Sequence, residues 1–199
     1  MVLSDTDSGK PVLLRHRCGA GTVYLLCTWA FPGHEALAAL MPAVLQSLID
    51  AHAHPTVRVT ADDDVYASVW DIDAAHKTVY LLNTDWVTPG NKRPVSLSAF
   101  GFHYATDAVE GRVVEVAVFE EGMMEVHGDY SLQFSRAEGG YSVYRVCGFG
   151  EGYLFFNAKC TCRVAVGGQV YGIPGQKPTL LPLGVPDGMF SGEIMVCAG

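Results

Sequence analysis

Positive charge is scarce in this chain and nowhere gathered. Its 199 residues hold 13 lysines and arginines against 21 aspartates and glutamates, a formal net charge of −8, and the basic residues stand singly or in pairs. A surface that neutralises phosphates needs a basic stripe, so no nucleic-acid partner is expected. Charge of either sign is sparse at 17%, while 49% of the residues are hydrophobic; a disordered polypeptide shows the reverse balance. Long apolar runs are missing as well. No stretch approaches the roughly 20 uninterrupted apolar residues that span a bilayer, so no membrane partner is expected. The opening MVLSDTDSGK has no basic region followed by an apolar run, as a secretory leader would. A soluble protein in a cytoplasmic setting is the expectation.

Motifs of chemistry are also thin. Six cysteines include no C-x₂₋₄-C pair of the kind that holds zinc. Cys160 and Cys162, in KCTCR, are one residue apart on an expected strand and share a face, with no further ligand beside them. Cys27, Cys147 and Cys197 fall within apolar strand patterns, where a reduced, buried thiol is the common state. Among seven histidines, His52 and His54 would share an ion only if His16, His76, His103 or His127 came near. No metal and no cofactor is predicted. Ser98, Ser131 and Cys147 lack the G-x-S-x-G elbow of a nucleophile, and GFGEG at 148–152 lacks the strand–glycine–helix context of a phosphate loop. It reads as a hairpin turn.

What is present is β-pattern. PVLLRHR and TVYLLCTW are apolar β-rich runs joined by glycines, a hairpin signal. After Pro32-Gly33, Leu37, Leu40, Met41, Val44, Leu45, Leu48 and Ile49 recur at three- and four-residue steps, one apolar stripe on a helix. Pro42 lies inside that stripe and predicts a kink or a break, and the helix is expected to end before Pro55. From there the period changes. TVRVT, VYASVW, KTVYLLN, PVSLSAF, GRVVEVAVF, MEVHGDYSLQF, YSVYRVCGF, GYLFFNA and CRVAV are short runs separated by turn residues, with no helical pattern between them. The glycine- and proline-rich segment after Gly167 reads as extended loops that lead to a last strand near 193–197. The fold class predicted is mainly β: an antiparallel β-sandwich preceded by a β-hairpin and one kinked amphipathic helix. An α/β remnant covers 1–55 and the sandwich domain covers 56–199.

The run GAGTVYLLCTWAFPGHEAL, with Gly9, Pro11, Gly19, Gly21, Val23 and Leu25 or Leu26, resembles the last strand and following helix of a glutamine-amidotransferase-like domain. That domain lies behind the catalytic barrel of multidomain β-galactosidase-like glycoside hydrolases. The phrase VYASVWDIDAAHKTVYLLNTDW looks like the opening strands of the sandwich that follows it there. The resemblance implies a C-terminal, non-catalytic region of a glycoside hydrolase that binds carbohydrate or buttresses the parent catalytic domain. The barrel that holds that family's catalytic carboxylates has no counterpart in this chain, so no catalytic residue is carried over.

The residues allow three readings. Sugar rings stack their C–H faces on flat aromatics while amides and carboxylates bond the hydroxyls. Trp86 with Asn83 and Asp85, and Trp70 beside Asp71, contain those parts, and Trp29, Tyr153 and Phe155 are further candidates. Glycoside hydrolysis instead needs two carboxyl groups roughly 5 to 10 Å apart. Asp71 and Asp73, on one face of an extended VWDID, are the candidate pair of an autonomous small glycoside hydrolase, whereas Glu120 and Glu121 point apart. Turns also recruit aspartate without any chemistry. A purely structural oligomerisation domain is the third reading, because an orphan hairpin edge must be covered or paired. It predicts a homo-oligomer.

Overall fold

The computed structural model describes residues 3–4, 9–27, 35–38, 40–184 and 187–198. The chain divides into two compact units, Met1–His54 and Pro55–Gly199.

In the first unit, strands β1 (Leu3–Ser4), β2 (Pro11–Cys18) and β3 (Gly21–Leu26) form one sheet in that order. The expected hairpin thus acquires a short third strand along β2. Its turn closes through Gly19, whose φ of 59° is a left-handed conformation open to glycine at little cost. The helical stripe is broken rather than kinked, into α1 (Glu35–Ala38) and α2 (Met41–His52). Pro42 falls in the first turn of α2, where its missing N–H would have had no intrahelical partner in any case. Met41 and Val44 are buried with Leu13, and Tyr24, Leu26 and Leu48 pack against them. Leu45 and Ile49 of the same stripe are about half exposed. Trp29 and the Pro32-Gly33 turn lie outside the described residues.

The second unit is mainly β and its strands pair antiparallel. A small sheet of β4 (Val57–Ala61), β7 (Lys92–Ala99) and β8 (Phe102–Val109) runs in the order β4-β7-β8. The larger sheet contains β5 (Val65–Asp71), β6 (His76–Asn83), β9 (Val113–Phe119), β10 (Gly122–Glu138), β11 (Tyr141–Ala158), β12 (Cys162–Val166), β13 (Gln169–Ile173) and β15 (Met189–Ala198). Its order is β13-β12-β15-β11-β10-β9-β6-β5, and β14 (Thr179–Leu183) also pairs with β11.

Alternation along β9 shows how the layers meet. Val114, Val116 and Val118 join Val79 and Leu81 of β6 against Val57, Val95, Leu97, Ala99 and Tyr104 of the small sheet, a sandwich-like packing around one core. Ala117 and Phe119 point the other way. They join a second core with Met124, Val126, Tyr144, Phe156, Val164 and Ile194, all from the larger sheet. One sheet can bury its own face in this manner only by curling, so that strands β9 to β15 enclose the core. Strands with both faces covered read as continuous apolar runs, and VAVF at 116–119, buried throughout, is such a run.

The curl is made in the long β10–β11 hairpin. Residues 129–138 pair with 141–149, which β15 flanks; residues 122–127 pair with 153–158, which β14 flanks. The register shifts between His127 and Asp129, and Gly128 and Gly150 take φ of 103° and 74°. Tyr130 lies over the glycines of the bend: a Cβ added at Gly148 or Gly152 would stand 2.4 or 2.5 Å from its ring. Its hydroxyl donates to the Gly150 carbonyl at 2.6 Å. GFGEG is therefore no hairpin turn but the bent middle of β11, because glycines that admit a ring and glycines that reverse a chain are the same residues locally. Strands β8, β13 and β14 were likewise not expected, the last two arising in the segment predicted as extended loops.

The cysteines also require correction. Cys27 and Cys147 are exposed and Cys197 is half-buried; Cys147 takes the outward alternate position of β11, and Cys27 follows the end of β3. Cys160 precedes β12 and is exposed, while Cys162 is buried, so the two do not share a face. Burial pushes the Cys162 thiol up to about 12.

Because the Asp129 carbonyl and the Tyr130 ring together fill the space at Gly148, Gly148→Ala is expected to destabilise the protein by about 2–3 kcal/mol. Gly150→Ala, with open space around it but positive φ, is expected to cost about 1–2 kcal/mol. Urea unfolding of the two variants measures the difference, and equal effects would contradict a steric role for Tyr130.

Candidate functional site

Strand β5 is the edge of the larger sheet. Side chains alternate across a strand, so Tyr66, Ser68 and Trp70 share one face of it. Register pairs Tyr66 with Leu82 and Ser68 with Tyr80, which brings four aromatic or apolar side chains together beside Ser68. The alternate residues of β6, Val79 and Leu81, are fully buried, so the strand is anchored by one face and presents the other. Tyr66, Ser68, Trp70, Tyr80, Leu82, Val113 and Gln133 line a groove of about 540 Å³.

Trp70 and Tyr66 are 64% and 63% exposed. The Trp70 indole N–H donates to Ser68 Oγ at 3.0 Å, and its ring stands edge-on to Tyr80 with centroids 6.5 Å apart. Burial, and then the charge of Glu115, raises the Tyr80 phenol above its ordinary value. Glu115 itself accepts the Leu132 N–H at 2.6 Å, and burial raises its carboxyl. The groove is thus flat, aromatic and free of a lining charge.

Trp86 is exposed too, at 62%, but it does not line this groove. Asn83 is completely buried. It donates to Asn91 Oδ1 and accepts the Asp85 N–H at 2.9 Å. Asp85 accepts the Val87 N–H at 3.1 Å and an Arg93 N–H at 2.7 Å; these two bonds hold its carboxyl below the ordinary range. Asn83 and Asp85 therefore build the loop on which Trp86 stands. Tyr153 is half exposed on β11, and Phe155 packs against the core between the sheets.

Asp71 and Asp73 close the β5–β6 turn. Asp71 pairs with Lys77 at 3.1 Å, and the Lys77 ammonium also bonds the Asp73 carbonyl. Asp73 Oδ1 accepts the N–H groups of Ala75 and His76 at 2.8 Å. The carboxylate also contacts His76 Nδ1 at 2.8 and 2.9 Å, while His76 Nε2 lies 2.7 Å from Ser142 Oγ. Carboxylate, imidazole and hydroxyl in this order resemble a hydrolytic triad. However, Ser142 is ladder-paired on both sides, with Ala137 and Val196, so its main chain offers no free N–H for an oxyanion. The His76 ring is covered by Phe134 at 4.3 Å. The network pins the turn to β11.

The remaining candidates stay apart. Ser98 bonds His103 at 2.7 Å, His52 bonds Tyr24, and exposed Ser131 meets Cys147. Among the described residues no three His, Cys, Asp or Glu side chains gather in a way that could hold a metal ion, and no helix is long and apolar enough to cross a membrane. Tyr66 and Tyr80 were passed over in the sequence, although the period-two pattern of VYASVW places Tyr66 and Trp70 together.

Desolvation at Asp73 is outweighed by its hydrogen bonds from His76 and Ala75 taken together, and its carboxyl lies below the ordinary 3.8. Its contribution to stability is therefore complete above about pH 4 and is lost as pH falls through the lowered folded value. With the side chain 47% exposed, Asp73→Asn is expected to cost only about 1 kcal/mol at pH 7. In urea unfolding at successive pH values, that difference should vanish toward strong acid. Compared with known proteins, the chain matches no family model, no curated protein and no solved structure.

Proposed function

We propose that the second unit is a glycan-binding module accessory to a glycoside hydrolase, and that Trp70, Tyr66 and Tyr80 hold the sugar rings. The observation that carries this reading is the exposure of Trp70 and Tyr66 on one face of an edge strand. Large aromatics are usually mostly buried, and an exposed apolar edge invites aggregation; a row of them kept on the surface calls for a use. A flat aromatic face matches the C–H faces of a pyranose, while the Trp70–Ser68 bond fixes the ring before a ligand arrives and reduces the ordering cost of binding. No charged side chain lines the groove, which favours neutral sugars. The link to a β-galactosidase-like parent rests on the resemblance of the sequence.

The reading as an autonomous hydrolase has less support, since Asp71 and Asp73 are both occupied in the turn. A structural role remains the second reading. Ile72 is exposed just past Trp70, and Val69 is exposed on the opposite face of β5, so a second copy would find an apolar edge there.

Affinity electrophoresis in gels containing β-galactan, xylan or cellulose tests the proposal. Retardation is expected in at least one gel, with affinity reduced about tenfold or more in Trp70→Ala and changed less in Trp86→Ala. Free migration in all three gels, together with a dimer by light scattering that Trp70→Ala dissociates, would favour the structural reading.

A further inference from the structure

A second arrangement lies between β8 and β10. Glu125 of β10 is 1% exposed. Tyr104 and Thr106 of β8 both donate to its Oε2, Tyr104 at 2.8 Å and Thr106 at 2.5 Å. Its Oε1 is buried and has no aligned hydrogen bond; the nearest side-chain nitrogen recorded against it is His127 Nε2 at 3.1 Å. Buried polar atoms without a partner are uncommon, and each needs an explanation. The Nε of Arg112 is a second such atom, and this one is a donor.

Both side chains line one cavity of about 200 Å³, with Lys92, His127 and Phe155 also on its walls and Asp107 as a second carboxylate at β8. Strand β8, which borders it, is the edge of the small sheet. The cavity therefore offers a cationic side with an idle donor, an anionic side with an idle acceptor and an aromatic wall. A metal ion would meet Lys92 and Arg112, and a dianion such as phosphate would meet Glu125. What satisfies both orphaned atoms is a molecule with a single carboxylate and a donor of its own. The volume lies below the roughly 300–1,000 Å³ of sites for drug-sized ligands, so one small molecule or a single sugar ring is the limit.

We propose that this cavity binds a small carboxylic acid bearing a hydroxyl or ammonium group near its acid function, the acid group directed to Arg112 and Lys92 and the donor to Glu125 Oε1. The site is independent of the glycan groove. Tyr104 belongs to the core between the sheets, whereas Tyr80 faces away from it.

Titration calorimetry on the full chain with glycolate, D-glucuronate and L-serine, and with acetate and D-glucose as controls, tests the proposal. At least one of the first three is expected to bind about tenfold or more tightly than both controls. Arg112→Gln and Glu125→Gln are each expected to weaken that binding about tenfold, while Trp70→Ala leaves it unchanged. No saturable heat with any of the three would overturn the proposal. Acetate binding as well as glycolate would remove the role of Glu125, and undiminished binding to Arg112→Gln would remove that of the guanidinium; either result rejects the site as drawn. Should Glu125→Gln fail to fold, Arg112→Gln at its half-buried position and the acetate control still decide the matter.

Discussion

The second unit depends on the place where Tyr130 lies over its glycines. Strands β10 and β11 are 17 and 18 residues long, far beyond the usual five or six, and unbent they would lead a flat sheet out into water. The ring occupies the room that Gly148 and Gly152 leave free, its hydroxyl ties down Gly150, and the hairpin turns there. Curling the sheet in this way closes one core inside it and leaves the outer face of β6 and β9 for the small sheet to cover.

Both proposed sites are consequences of that geometry. Where the curl stops short, β5 and β6 keep an uncovered face, and the aromatic groove is what they present there. Where the small sheet ends at β8, the second layer no longer covers β10, and Glu125 is left buried but incompletely bonded. Buried charge is tolerated only when hydrogen-bonded, which is why Tyr104 and Thr106 are committed to it. Burial, with Glu125's charge adding to it, raises the Tyr104 phenol well above its ordinary value, so this residue remains a donor throughout the neutral range.

Much of the strand pattern was legible because short β-branched and aromatic runs between turn residues are a local signal. VYASVW, KTVYLLN and GRVVEVAVF all became strands, and the helical stripe broke just ahead of Pro42, which fits the first turn of α2. FHYATDAV did not look like a strand, since its inward residues include Tyr104 and Thr106, chosen to bond Glu125 and not to make an apolar run. Arg112 and Glu125 gave no signal at all, as nothing nearby in the chain marks them as lining one cavity. Trp70 and Trp86 were singled out by residue type, but their exposure is a property of what fails to pack over them.

By itself, the sequence determined the antiparallel β class, the position of the hairpin and the helix break, and the scarcity of positive charge, because periodicity, proline geometry and composition act over a few residues. Tertiary structure alone decided that GFGEG bends a strand instead of ending one, that Asn83, Asp85, Asp71 and Asp73 serve loops, and that Tyr66, Trp70 and Tyr80 share a groove. Those outcomes turn on contacts between residues far apart in the chain, where the same side chain is scaffold or surface according to what lies across from it.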